Sequence, residues 1–133
     1  MFQNDYLMRI IMQFVQALQR ALRNRQASPT ERAADLEQVI GDAVNIDPRL
    51  LLSTDPESVV SLLQLGDFDE QIGEYVLRSL YMEANLLDEA GQGELADLRR
   101  AQAGAIAEAY NLDVTAEDVD PEALEAFFAE QKA

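Results

Sequence analysis

Carboxylates are the side chains of this sequence best able to act on a substrate or hold an ion. Asp and Glu supply 25 of 133 residues against ten Lys or Arg, and there is no His and no Cys. Without imidazole the commonest general base and the commonest transition-metal ligand are missing. Without a thiol there is neither a Cys nucleophile nor a disulfide framework. Acid–base or metal chemistry would have to come from carboxylates brought together, and two acidic clusters are the places to look. "GDFDEQIGE" (66–74) opens in the D-x-D manner of a calcium loop. Counted from Asp67, its sixth position is Ile72 where such a loop needs Gly, and its twelfth is Arg78 where it needs a bidentate Glu. It reads instead as a solvated loop with a helix cap. "DVTAEDVDPE" (113–122) gathers five acids. Helix capping by Thr115 and Asp120 accounts for most of them, leaving only a weak attraction for a divalent cation.

Other candidates are thinner. Arg99-Arg100 is the one adjacent basic pair beyond the first helix, and on so acidic a chain intramolecular pairing is expected before phosphate binding. Gly91-Gln92-Gly93 is too little for a phosphate loop. Tyr6, Tyr75, Tyr81 and Tyr110 sit among apolar residues at helical spacing and suit the edge of a core. No catalytic residue, cofactor site or metal site is assigned.

The formal charge of −15 repels nucleic acid and anionic lipid at long range, so no nucleic-acid partner is expected. The charge is uneven. Residues 1–27 carry Arg9, Arg20, Arg23 and Arg25 against Asp5, a net +3, which leaves −18 to the rest.

These groups must be positioned by helices. At 100° per residue Leu7, Ile10, Ile11, Phe14, Val15, Leu18, Ala21 and Leu22 share one face of a first helix, capped by Asn4 or Asp5 and ending near 24–26. Ser28-Pro29-Thr30-Glu31 has the form of a capping box with Pro at the first helical position. Asp47-Pro48, Asp55-Pro56 and Asp120-Pro121 each read as an Asp N-cap followed by Pro. A long helix is expected from Asp69 or Glu70 to about Ala90, a tight break at Gly91–Gly93, another helix over about 94–110 and a last one over about 121–131. Gly41, inside the second helix, is either a tolerated cost or a point of close approach. No period-2 strand or hairpin pair appears. The reading is an all-α single domain, residues 1–133, of antiparallel helical hairpins with six or seven helices. At this length roughly two-thirds of the unfolded surface can be buried without staples.

"NDYLMRIIMQFVQAL" (4–18) admits three uses. As a secretory signal it fails, because Asp5 precedes the apolar run, Arg9 and Gln13 interrupt it and no small-residue cleavage site follows. As a membrane-surface helix it has Phe2, Tyr6, Phe14 and cationic residues in its favour, and a Gln-rich polar face and the acidic body against it. As a core helix it needs only a neighbour for its stripe, which is the usual fate of an amphipathic helix.

"ANLLDEAGQGELADLRRAQA" (84–103) resembles a tetratricopeptide unit. Ala84, Leu87, Gly91, Ala96 and Ala103 fall at that repeat's packing offsets, while Arg100 occupies the place of its second aromatic residue. One unit cannot form the superhelical groove with which arrays bind peptides. The opening stretch together with the acidic helical body and "DPRLLLSTDPESVVSLL" (47–63) resembles a bacterial family of unknown function, short, helical and tetratricopeptide-like in style. That resemblance implies a cytoplasmic bacterial protein and carries no catalytic residues.

The function expected is a non-catalytic interaction or scaffolding module, with a protein partner or a second copy of the chain as its ligand. Leu7, Ile11, Phe14 and Leu18 on the first helix are candidates for the surface. So are Tyr81, Met82 and Arg99 in a groove between the 70–90 and 94–110 helices. A peripheral membrane protein using residues 2–22 is the second reading. A small-molecule binder or carboxylate-only enzyme with a pocket at the hairpin is the third.

Overall fold

The computed structural model describes residues 2–66 and 68–132, the side chains of residues 2–4 and 132 excepted. Seven α-helices account for most of these residues: α1 (Phe2–Arg23), α2 (Pro29–Val44), α3 (Pro48–Leu51), α4 (Pro56–Leu65), α5 (Gly73–Glu89), α6 (Gly93–Tyr110) and α7 (Pro121–Lys132). Single 3-10 turns, Glu70–Ile72 and Ala116–Val119, precede α5 and α7. No strand occurs among the described residues.

Local chemistry sets the boundaries. Ser28 Oγ accepts from the Glu31 amide at 3.1 Å, Asp47 Oδ1 from Arg49 at 2.9 Å and Asp55 Oδ1 from Ser58 at 2.8 Å, each cap standing before a helix-starting Pro and satisfying an otherwise orphaned amide of the first turn. The far ends close by backbone. Asn45, Gly91 and Asn111 take positive φ of 59°, 81° and 54°. In each case the next amide turns back to a carbonyl five residues earlier: Ile46 to Gly41, Gln92 to Leu87 and Leu112 to Ala107. That is the Schellman closure, which Gly and Asn adopt at least steric cost.

Three expectations are corrected. α1 begins at Phe2, so Asp5 lies within its first turn, where it complements the helix dipole instead of capping. The long helix does not start at 69 or 70: Asp69 Oδ1 accepts from Gln71 at 2.8 Å and caps the short 3-10 turn, and α5 begins at Gly73. Tyr6 is not at the core edge but 57% exposed. The proposed start of the calcium-like loop, Asp67, lies outside the described residues.

α5 runs through the middle. It packs along α6 as an antiparallel hairpin across the Gly91 turn, and its other sides meet α2 and α1. Ala84, Ala96 and Ala103 are fully buried, so small side chains let α5 and α6 approach closely. Gly41 is a true close approach: a Cβ there would lie 2.5 Å from Pro48 Cδ and 2.9 Å from the Ile46 carbonyl. It lets α3 fold back on α2. Of the α1 stripe, Ile10, Phe14, Leu18 and Ala21 are buried, together with Ala17, which the periodicity did not single out. Full burial of Phe14 or Leu18 contributes about 1.5–3 kcal/mol each. α7 packs on its own chain. Leu124, Phe127 and Phe128 are buried beside Ala17, Leu18 and Ala21 of α1, and the Phe127 ring lies 5.8 Å from that of Tyr75.

Candidate functional site

The fold leaves two regions with unusual chemistry. The first is the outer face of α1. Because the helix buries its Ile10–Phe14–Leu18 side, Met8 and Met12 point outward and are 58% and 57% exposed. Ile11 and Val15 beside them are half-buried. Residues 8, 11, 12 and 15 have i, i+3, i+4, i+7 spacing, so they form a second apolar row next to the one in the core. Charge flanks it. Arg20 pairs with Asp35 of α2 at 3.0 Å and Arg23 pairs with Glu125 of α7, so two of the four arginines dock α1 onto its own acidic body. Arg9 and Arg25 are exposed and make no ion pair among the described residues.

The second region lies inside the α5–α6 hairpin. Arg99 of α6 is buried and every edge of its guanidinium is used. Nε donates to Glu83 Oε2 of α5 at 2.8 Å, Nη2 to Glu37 Oε2 of α2 at 3.1 Å, and Nη1 to the Leu52 carbonyl at 2.8 Å and Gln102 Oε1 at 3.2 Å. Gln102 Nε2 donates in turn to the carbonyls of Leu52 and Thr54 at 3.0 and 2.9 Å. Four parts of the chain, α2, the segment after α3, α5 and α6, are thus tied to one cation. Glu83 is fully buried, and its Oε1 has no hydrogen-bond partner. Burial, then the hydrogen bond and charge of Glu37, push the Glu83 carboxyl up to about 9, with Arg99 pulling the other way. The guanidinium fills the position among these oxygens that a metal ion would need. Glu37 also reaches the wall of an open cleft of about 690 Å³ between α2 and α3, lined further by Gln38, Asp42, Asp47 and Arg49.

The residues singled out in sequence do not form one surface. Phe14, Leu18, Met82 and Arg99 are buried in their own chain, so none of them is a docking surface. The physical reason differs. Phe14 and Leu18 lie at the centre of the α1 stripe, whereas Arg99 is drawn inward by two carboxylates and a carbonyl. At the α5–α6 hairpin an open cleft of about 740 Å³ lies at the turn, lined by Gly91, Gln92, Gly93, Glu94, Leu95 and Leu98 and not by Tyr81, Met82 or Arg99. Met82 instead lines a small cavity of about 210 Å³ facing α1, with Leu22, Arg32 and Glu89 around it. Tyr81 is half-buried and faces Asp118, whose charge adds to burial in raising its pKa. Leu7 and Ile11 are half-buried on α1, and Leu7 packs against the core. Of the adjacent basic pair, Arg99 turns in and Arg100 turns out to Asp88 and Asp97, so both are paired within the chain. The acidic stretch 113–122 works as a cap: the Thr115 amide donates to Asp118 Oδ2 at 2.7 Å.

Sequence reasoning missed Met8 and Met12 as surface and Glu37, Glu83 and Gln102 as partners of Arg99. Glu83 carried a signal, since at α5 spacing it lies one turn from Ser79 and among Leu80, Ala84 and Leu87, an acid on an apolar face. Compared with models of protein families, with curated proteins and with solved structures, the chain matches none of them.

Proposed function

We propose that this chain is a non-catalytic protein-interaction module that receives a helical protein surface, of another chain or of a second copy, on the outer face of α1. The observation that carries the reading is the row of exposed Met8 and Met12 with half-buried Ile11 and Val15 beside them. Its spacing is that of an amphipathic helix laid into an apolar groove or against another helix. Methionine suits such a face, because its unbranched, polarizable side chain adapts to the partner's shape. Arg9 beside the row favours an acidic flank on the partner, which the −18 carried by residues 28–133 of a second copy would also supply.

The test is a double substitution, Met8→Glu with Met12→Glu. Both side chains are exposed, so folding stability is expected to change by no more than about 0.5 kcal/mol each. Mass measurement by light scattering across concentration, and recovery of cross-linked partners from the native cell, should show association in the parent that the variant loses. A parent that stays monomeric and yields no partner, or a variant that associates as well as the parent, sinks the proposal. The membrane reading draws on the same row. It requires co-sedimentation with anionic vesicles at low salt, which the net charge opposes. No described helix is long and apolar enough to cross a membrane.

A further inference from the structure

Two carboxyl groups, one fully buried and one at the edge of the open cleft, meet one buried guanidinium, and as three ionised groups they do not balance. Nε and Nη2 of Arg99 form the edge that ordinarily grips both oxygens of a single carboxylate. Here it takes Glu83 Oε2 at 2.8 Å and Glu37 Oε2 at 3.1 Å, one oxygen from each of two side chains. Sharing that edge sets the two carboxyls side by side on one guanidinium. The other Glu83 oxygen, Oε1, is buried with no partner, as is Ser79 Oγ one turn earlier on the same face of α5. No second cation arrives from the elements packed around it. α2 brings Glu37, and α6 brings Arg99 and the neutral Gln102. The segment after α3 brings only the carbonyls of Leu52 and Thr54, which already accept from Arg99 and Gln102. Among the described residues the charged groups facing Glu83 are Glu37 and Arg99.

We propose that the Glu83 carboxyl is a proton-binding site: it holds a proton at neutral pH and donates it to Glu37, leaving one shared negative charge opposite Arg99. The proton gives the orphaned side chain a donor, removes the repulsion between two acids on one edge, and makes the buried cluster neutral. Glu37 lies partly in the open cleft, so the proton has a route to water through the residue that accepts it.

The sign of the linkage follows from the raised folded value. In the unfolded chain Glu83 titrates near its ordinary 4.5, and in the folded chain near 9. The folded state therefore holds the extra proton between these limits. The stabilisation it brings is complete below the lower limit and is lost as pH rises through the upper one. Above it, an ionised Glu83 stands against Glu37 where α2, α5, α6 and the 52–54 segment meet. The joint holding α2 to the α5–α6 hairpin is then expected to loosen.

The test is carbon NMR of the full chain labelled at the Glu side-chain carboxyl carbons, followed from about pH 3 to about pH 10, a range spanning the ordinary carboxylate value and the raised one. The Glu83 resonance, assigned through its own side-chain correlations, is expected to keep the shift of a protonated carboxyl through neutrality and to move only on the alkaline side. A Glu83 resonance that titrates with the exposed glutamates overturns the proposal. Thermal melting adds a second reading. The parent should lose several degrees between about pH 7 and pH 9.5, whereas Glu83→Gln, an isostere of the protonated acid, should give a flat curve. Coincident curves would likewise overturn it. The NMR experiment uses the unaltered chain, so it stands even if the variant fails to fold.

Discussion

Arg99 with Glu83 and Arg20 with Asp35 are both contacts of a guanidinium with a carboxyl group, at nearly the same distance, 2.8 and 3.0 Å. Their surroundings are opposite. The first pair has side chains 6% and 0% exposed, the second 49% and 38%. At the surface, water competes for both partners and salt screens them, so the pair orients α1 on α2 and adds little stability. In the interior there is no competing water, so each partner depends on the other and the cost of losing one is large. Distance alone says nothing about which of the two holds the fold; burial and the remaining hydrogen bonds decide it.

The sharpest way to break the comparison is Arg99→Met. It leaves the buried Glu83 and the half-buried Glu37 without their shared cation and removes a donor from the Leu52 carbonyl, so unfolding free energy should fall by about 3–5 kcal/mol. Urea denaturation measures it, and a fall below about 1 kcal/mol would put the buried pair on a par with the surface one. Next comes Gly41→Ala, whose methyl would press on Pro48 and displace the α3 segment that offers its carbonyls to Arg99 and Gln102. A cost of about 1–3 kcal/mol is expected by the same measurement. Gln102→Leu should cost a similar or smaller amount, about 1–3 kcal/mol, because the Thr54 carbonyl loses its donor. Arg20→Gln, the counterpart at the surface, should change stability by about 0–1 kcal/mol, and high salt should erase even that. A loss comparable to that of Arg99→Met would end the contrast.

Acid pH probes the caps instead. Hydrogen bonds from the backbone amides of Arg49 and Ser58 hold Asp47 and Asp55 below the usual carboxylate range. Depressed values mean stability that is present above that range and lost as pH falls through it. Asp55→Asn should therefore flatten the acid limb of a melting-temperature profile while leaving any alkaline limb from Glu83 unchanged.

Much of the fold was legible in the sequence. The Ser28-Pro29, Asp47-Pro48 and Asp55-Pro56 starts, the Gly91 break and the α1 stripe are all short-range signals, read across at most a few turns of one helix. Where legibility ended is equally local in cause. Asn45 and Asn111 stop α2 and α6 as Gly91 stops α5, but Asn is less distinctive than Gly as a left-handed stop. Tyr6 is exposed because a stripe fixes which side of α1 is apolar but not how wide a strip its neighbours cover. The same limit hid Met8 and Met12. The candidate surface suffered most. Phe14 and Leu18 are apolar residues on one face, which is also what marks the centre of a core.

From sequence alone came the all-α class, the helix starts, the amphipathic character of residues 4–22 and the opposite charge of that helix and the body. These follow from backbone capping and 3.6-residue periodicity, interactions that span four residues or so. Only the tertiary structure decided that α7 closes over α1 and that α1 keeps a second apolar row outside. It alone placed Arg99 between Glu83, Leu52 and Glu37, respectively 16, 47 and 62 positions away in the chain. Such partners are selected by which helices happen to pack together, and a single sequence records the residues that meet there without recording the meeting.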